Sequence, residues 1–156
     1  MNKSKKLIYF IPSFIWMVII FIFSNQQAES SNKNNFFIAD VLRKGNVTLF
    51  KHIDYNFLNF LIRKAAHITE YFILFMLLYF AFKKTFYKNP KIKASIITIL
   101  YACTDEFHQL FISGREGKIR DVFIDSIGVF IGVLLIYIFK FIKNIRKRNK
   151  IVYKLF

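Results

Sequence analysis

Four stretches of the chain are apolar over bilayer-like lengths, and the few ionisable residues they carry are confined to short runs. Residues 7–23 hold no charge; 62–82 carry Arg63, Lys64, His67 and Glu70; 92–112 carry, beyond Lys93 at the basic end, Asp105, Glu106 and His108; 122–139 carry Asp125, with Asp121 just ahead of it. A helix rises about 1.5 Å per residue, so about 20 residues cross a hydrocarbon core of roughly 30 Å. The pattern predicts an all-α polytopic membrane protein, an up-down bundle of four transmembrane helices forming one domain over 1–156. Between the first two spans, the stretch from Gln26 is rich in Ser and Asn. It then gathers apolar residues at Phe37, Ile38, Val41 and Leu42, and later at Phe57, Leu58, Phe60 and Leu61. This reads as a polar linker followed by one or two interfacial amphipathic helices, either lidding the polar residues or only anchoring the chain at the membrane surface.

Composition supports the same solvent. Hydrophobic residues make up 55% of the 156 and aromatic residues 19%, more than an average soluble domain of this size carries. The formal net charge of +15 raises nucleic-acid binding, but its distribution argues against it. Three segments, 1–6, 83–93 and 140–156, together hold 15 of the 24 basic residues and none of the nine acids. Basic residues that flank spans in this way set topology and meet anionic lipid head groups. The bacterial cytoplasmic membrane, with both termini on the cytoplasmic side, is the expected location. The basic start of the first span lacks a small-x-small cleavage site and reads as an uncleaved anchor. Cys103, alone in the chain, excludes an internal disulfide. Asn46-Val47-Thr48 matches a glycosylation sequon that has meaning only in a eukaryotic secretory setting.

Counted from the basic ends, Glu70, Asp105, Asp125 and Ser24 stand about 18 to 27 Å up their helices. Up-down topology therefore brings all four polar sets to the outer third of the membrane. Within each helix they share a face. Arg63, His67 and Glu70 follow i, i+4, i+7, and so do Asp121, Asp125 and Gly128, with Gly132 extending the stripe. The two glycines form a small-xxx-small pair that admits a neighbouring backbone and turns the carboxylates into the bundle. Asp105 reaches His108 or Gln109 on its own face, and Glu106 is expected to pair with Gln109.

These residues lie in blocks that resemble the VanZ-like family. Arg63-Lys64-Ala65-Ala66-His67-Ile68-Thr69-Glu70-Tyr71 is followed by Asp105-Glu106-Phe107-His108-Gln109-Leu110-Phe111, then by Gly114-Arg115, Arg120-Asp121 and Asp125-Ser126-Ile127-Gly128. Phe23-Ser24-Asn25-Gln26 is similar to the family's first block. One departure is Ser113, at a position where the family pattern has proline. The resemblance implies a small multi-helix membrane protein of the cell envelope. The family's name-giving member is associated with resistance to the lipoglycopeptide teicoplanin, and an effect of that kind on antibiotic susceptibility is the corresponding expectation.

Buried charge in a lipid-length segment marks a functional site by default. His67 with Glu70 suits a proton relay or a metal ligand, against the plainer reading of a self-satisfied helix pair. Arg115 and Arg120 could hold a phosphate bidentately, or else clamp their loop to Asp121 or Glu116. Two functions follow. In the first, Arg63, Glu106, Gln109, Arg115, Arg120, Asp121 and Asp125 bind a membrane lipid head group, a lipid-linked cell-wall precursor or a lipoglycopeptide. In the second, the protein is an intramembrane hydrolase or transferase acting on such a lipid, with His67 or His108 as general base and Glu70 and Asp105 orienting it or holding a metal. The first is favoured because no serine or threonine stands beside a base in a catalytic motif. A proton-coupled transporter would be expected to carry repeated halves and broken helices. No cofactor is expected: Asp105-Glu106-x-His108 lacks the paired histidines of a zincin string, although His and carboxylates from two helices are chemically competent for a divalent ion.

Overall fold

A computed structural model describes residues 6–44, 53–85 and 88–152, and within them every regular element is helical. A 3-10 turn, Ile8–Phe10, leads into α1, Ile11–Ser24; α2 covers Ala28–Lys44, α3 Tyr55–Thr85, α4 Pro90–Gln109 and α5 Ile119–Val152. The sequon lies outside the described residues. Helix α3 touches each of the other four helices. Its Tyr71, Leu74, Phe75, Leu78 and Tyr79 form the centre of the core, packed on Ile20 from α1, Ala94 and Ala102 from α4, and Val129 and Ile136 from α5. On α4, Ala94, Thr98, Ala102, Asp105 and Gln109 are all buried. Their spacing is that of one helical face, so the helix that seats small residues against α3 also aims Asp105 inward.

The outside of the bundle is apolar. Phe14, Ile15, Leu100, Phe107, Phe123, Phe130, Leu134 and Phe139 are all exposed, which water would penalise and lipid does not. Two helices, Tyr55–Thr85 and Ile119–Arg148, are long and apolar enough to cross a membrane, and only 39% and 28% of their most apolar windows are buried within the protein. The core helix of a soluble domain would be covered on most sides. Ile8–Ser24 is apolar but shorter, and α4 has 20 residues.

Three boundaries differ from the sequence-based expectation. The Ser/Asn-rich stretch expected as linker is helical from Ala28. These residues are poor helix formers in isolation, but α2 is held by tertiary contacts: Asn59 Nδ2 donates to Asn32 Oδ1 at 3.1 Å, Tyr55 Oη donates to Asp40 Oδ1 at 2.8 Å, and the Phe36 and Tyr55 rings stack at 4.9 Å. Second, α3 starts at Tyr55 instead of near Ile62, so Phe57, Leu58, Phe60 and Leu61 form its first turns, not a separate interfacial helix. Asp54 sets that start, its Oδ2 accepting from the backbone N–H groups of Asn56 and Phe57 at 3.0 Å each, the usual N-cap device. Third, the basic segment from Lys140 continues α5 as helix to Val152.

Candidate functional site

The end of α1, the upper half of α3, the end of α4, the start of α5 and the 110–118 connection meet at one end of the bundle. The convergence expected from up-down topology is thus observed, carried by specific contacts. His67 Nδ1 on α3 lies 3.5 Å from Asp125 Oδ1 on α5, and Lys64 Nζ lies 2.6 Å from Asp121 Oδ2 one turn away. Tyr71 Oη on α3 donates to Asp105 Oδ2 on α4 at 3.0 Å, and Gln109 Nε2 donates to the same oxygen at 3.2 Å. The small-xxx-small stripe makes the α3–α5 approach possible. A Cβ on Gly128 would stand 2.3 Å from the Ile68 carbonyl oxygen, and one on Gly132 2.3 Å from the Phe75 ring.

The 110–118 connection closes the site. Gly114 takes φ 75°, a left-handed turn that glycine adopts without strain. It presents Arg115, whose Nε donates to the Gln26 carbonyl at 2.8 Å and whose Nη2 donates to the Phe23 carbonyl at 3.1 Å. Arg115 therefore ties the 110–118 connection to the carbonyls at and just beyond the end of α1, and not to Asp121 or Glu116 as its expected loop clamp. Burial draws its pKa below the ordinary arginine value. Glu116 pairs with Lys118 at the surface, and that contact holds its carboxyl below the ordinary range. The Lys118 backbone N–H donates to Glu106 Oε2 at 3.0 Å. The carboxylate of Glu106 is thus oriented by the loop and not by Gln109, which serves Asp105.

Two cavities flank these residues. One, of about 190 Å³, is lined by Arg63, Lys64, His67, Glu106, Gln109, Arg115, Arg120 and Asp121 among others. The second, of about 260 Å³, is lined by Ser24, Gln26, Asn35, Ile38, Arg63, His67, Glu70 and Arg115 among others. Arg63, His67 and Arg115 border both, and Asn35 and Ile38 place α2 over the second cavity as a cover. Arg63 has no ion pair among the described residues, whereas Arg120 stands 3.7 Å from Asp121 with its own side chain 68% exposed. His108 does not join the cluster: its ring packs on Phe21 at 4.8 Å, it lines neither cavity, and its Nδ1 has no hydrogen-bond partner among the described residues. Outside the bundle, an apolar groove of about 710 Å³ runs between α4 and α5 past Ile99, Cys103, Phe107, Leu110, Val122 and Phe123. At one end it reaches Glu106 and Lys118, which also border the first cavity.

Ten of the eleven candidate residues lie in this one region, and only His108 stands apart from it. Lys64 and Tyr71 were missed as partners. Both sit within a turn of His67, so the helical stripe held the signal, but the acids they meet come from helices distant in sequence.

The family model described as VanZ/LLP1 matches residues 9–140, a range that contains all of these residues, and the chain belongs to that family. No curated protein and no solved structure matches the chain.

Proposed function

We propose that this VanZ/LLP1 family member crosses the membrane four times with both termini in the cytoplasm, and that its outer polar site takes the anionic head group of a lipid or lipid-linked envelope precursor. The observation that carries the reading is the adjacency of a polar cavity and a lipid-facing groove. A phosphate enters the cavities beside Arg63, which has no ion pair among the described residues, while an acyl or prenyl chain lies in the groove beyond Glu106 and Lys118. Such a site has the two-part shape of an amphiphile, with charge-assisted hydrogen bonds at one end and apolar contact at the other. Sequestering an envelope lipid is also a route by which a protein of this kind alters teicoplanin susceptibility.

Binding is tested with purified protein and phosphatidylglycerol, followed by native mass spectrometry. Removing a charged hydrogen-bond donor costs about 1.5 to 3 kcal/mol, so Arg63→Gln should weaken retention of the lipid about ten- to a hundredfold. Undiminished retention by a folded Arg63→Gln protein would overturn the assignment of Arg63.

A second reading, hydrolysis or transfer at the bound head group, is favoured by one specific arrangement. His67 faces Asp125, whose side chain is 1% exposed. A carboxylate so placed orients an imidazole acting as general base. Phosphate or a cleaved head group released from radiolabelled phosphatidylglycerol by wild type, and not by His67→Gln, would move the assignment to this reading.

A further inference from the structure

Among the described residues, the cluster holds buried oxygens without a hydrogen-bond partner: Ser24 Oγ, Asp121 Oδ1 and one on Asp125. Asp125 Oδ2 is buried, on a residue 1% exposed, and has no hydrogen-bond partner among the described residues. Leaving a charged oxygen unpaired in a low-dielectric interior is costly. The other oxygen of Asp125 lies 3.5 Å from His67 Nδ1, beyond the 2.7–3.2 Å or so of a good hydrogen bond. Glu106 belongs to the same arrangement: His67, Glu106 and Asp125 each bring one donor atom to within 4.8 Å of the others. These three come from three helices, α3, α4 and α5.

We propose that His67, Glu106 and Asp125 form a binding site for a divalent transition-metal ion, Zn²⁺ or Mn²⁺. Ligands that stand about 2.0–2.2 Å from such an ion are separated from one another by about 3 to 4.4 Å; the 3.5 Å gap falls in that range, and the other donor separations, up to 4.8 Å, would close by a few tenths of an ångström on binding. An imidazole with two carboxylates is a donor set for these ions, and three protein ligands leave a coordination position open. Two of the three residues, His67 and Glu106, also line the first cavity. Of the neighbouring cations, Lys64 is engaged by Asp121 and Arg115 by the Phe23 and Gln26 carbonyls, while Arg63 borders the cavity with no ion pair among the described residues. Lys118 offers Glu106 only a backbone N–H, which fixes one carboxylate oxygen and leaves the other for the ion. Such supporting contacts are what a working metal site requires. The ion would also offset two buried negative charges, and the assignment stands on donor geometry whatever ligand the cavities take.

The test is metal content and uptake by the full chain purified in detergent. After dialysis against chelator, the protein is titrated with ZnCl₂ and, separately, MnCl₂, and bound ion is measured by plasma mass spectrometry. One of the two should bind at about one ion per chain and raise the thermal midpoint. His67→Gln and Glu106→Gln should each weaken uptake by at least the ten- to hundredfold or so that loss of a mere supporting residue causes, while His108→Gln leaves it unchanged. Where a variant fails to fold, wild type loaded with Co²⁺ decides the matter: visible absorption bands of a nitrogen- and oxygen-ligated ion are expected, displaced by stoichiometric zinc or manganese. A helical, monodisperse wild type that takes up neither ion overturns the proposal. So does uptake that is unchanged in folded His67→Gln and Glu106→Gln proteins, which would place the ion elsewhere.

Discussion

Lys64 and Asp121 meet at 2.6 Å with 12% and 15% of their side chains exposed. That places them between two regimes, since fully solvated pairs contribute almost nothing while removing one partner of a fully buried pair costs about 3 to 5 kcal/mol. At this rim the expected loss is intermediate. Lys64→Met or Asp121→Asn should each lower stability, and the double variant should lose less than the two added together, with a coupling of about 0.5 to 3 kcal/mol. Chemical denaturation of the four proteins in detergent measures it; strict additivity would mean that the pair does not form. The position of each such residue was legible in the sequence, because a turn-spaced stripe fixes the face on which a side chain lies. Its partner was not. Asp105 could be assigned Gln109 from its own helix, but Tyr71 reaches it from 34 positions away, and the carbonyls of Phe23 and Gln26 to which Arg115 donates lie about 90 positions before it.

At the scale of elements, helix type and the buried faces followed from periodicity, whereas helix ends were set by groups that periodicity does not register. Asp54 capped α3 earlier than expected. Contacts with Tyr55 and Asn59 turned an apparent linker into α2. The close approach of α3 and α5 did show in the sequence, as Gly128 and Gly132 one turn apart, and it carries a prediction. Replacing glycine by alanine inside a helix ordinarily gains about 1 kcal/mol in propensity. Here the new methyl would lie 2.3 Å from the Ile68 carbonyl oxygen and 2.7 Å from the Phe72 nitrogen, backbone atoms that cannot rotate away. The overlap should outweigh the propensity, so that Gly128→Ala loses about 1 to 3 kcal/mol net. At Gly132 the obstacle is the Phe75 ring, which can turn, and the loss should be smaller. Thermal unfolding of the two variants tests the order; a stabilised Gly128→Ala protein would show that α3 and α5 do not pack this closely. Because His67 and Asp125 sit one turn above this contact, the same variant should also disturb their spacing.

For the whole molecule, the relevant asymmetry is between two ends of one bundle. One end gathers Arg63, His67, Glu70, Asp105, Glu106, Asp121 and Asp125; the other carries Lys83, Lys91 and Lys140, with the Lys83 ammonium over the Tyr79 ring at 5.7 Å and that of Lys91 over the Tyr137 ring at 3.6 Å. Between them the surface is apolar. The proposed orientation, with these lysines at the anionic cytoplasmic leaflet and the polar site outside, rests on the positive-inside rule. This orientation came from charge segregation alone, a property of the sequence that needs no side-chain geometry. It is tested by single cysteines in a Cys103→Ala background, labelled in intact cells with a membrane-impermeant maleimide. Ser113, exposed in the loop that closes the site, and Gln27, exposed after α1, should label from outside. Cysteines at Lys88 and Lys147, both exposed at the basic end, should react only after the cells are permeabilised. The opposite pattern would put the cavities in the cytoplasm, where they could meet only inner-leaflet lipids, and an outer-leaflet envelope ligand would be excluded on topology alone.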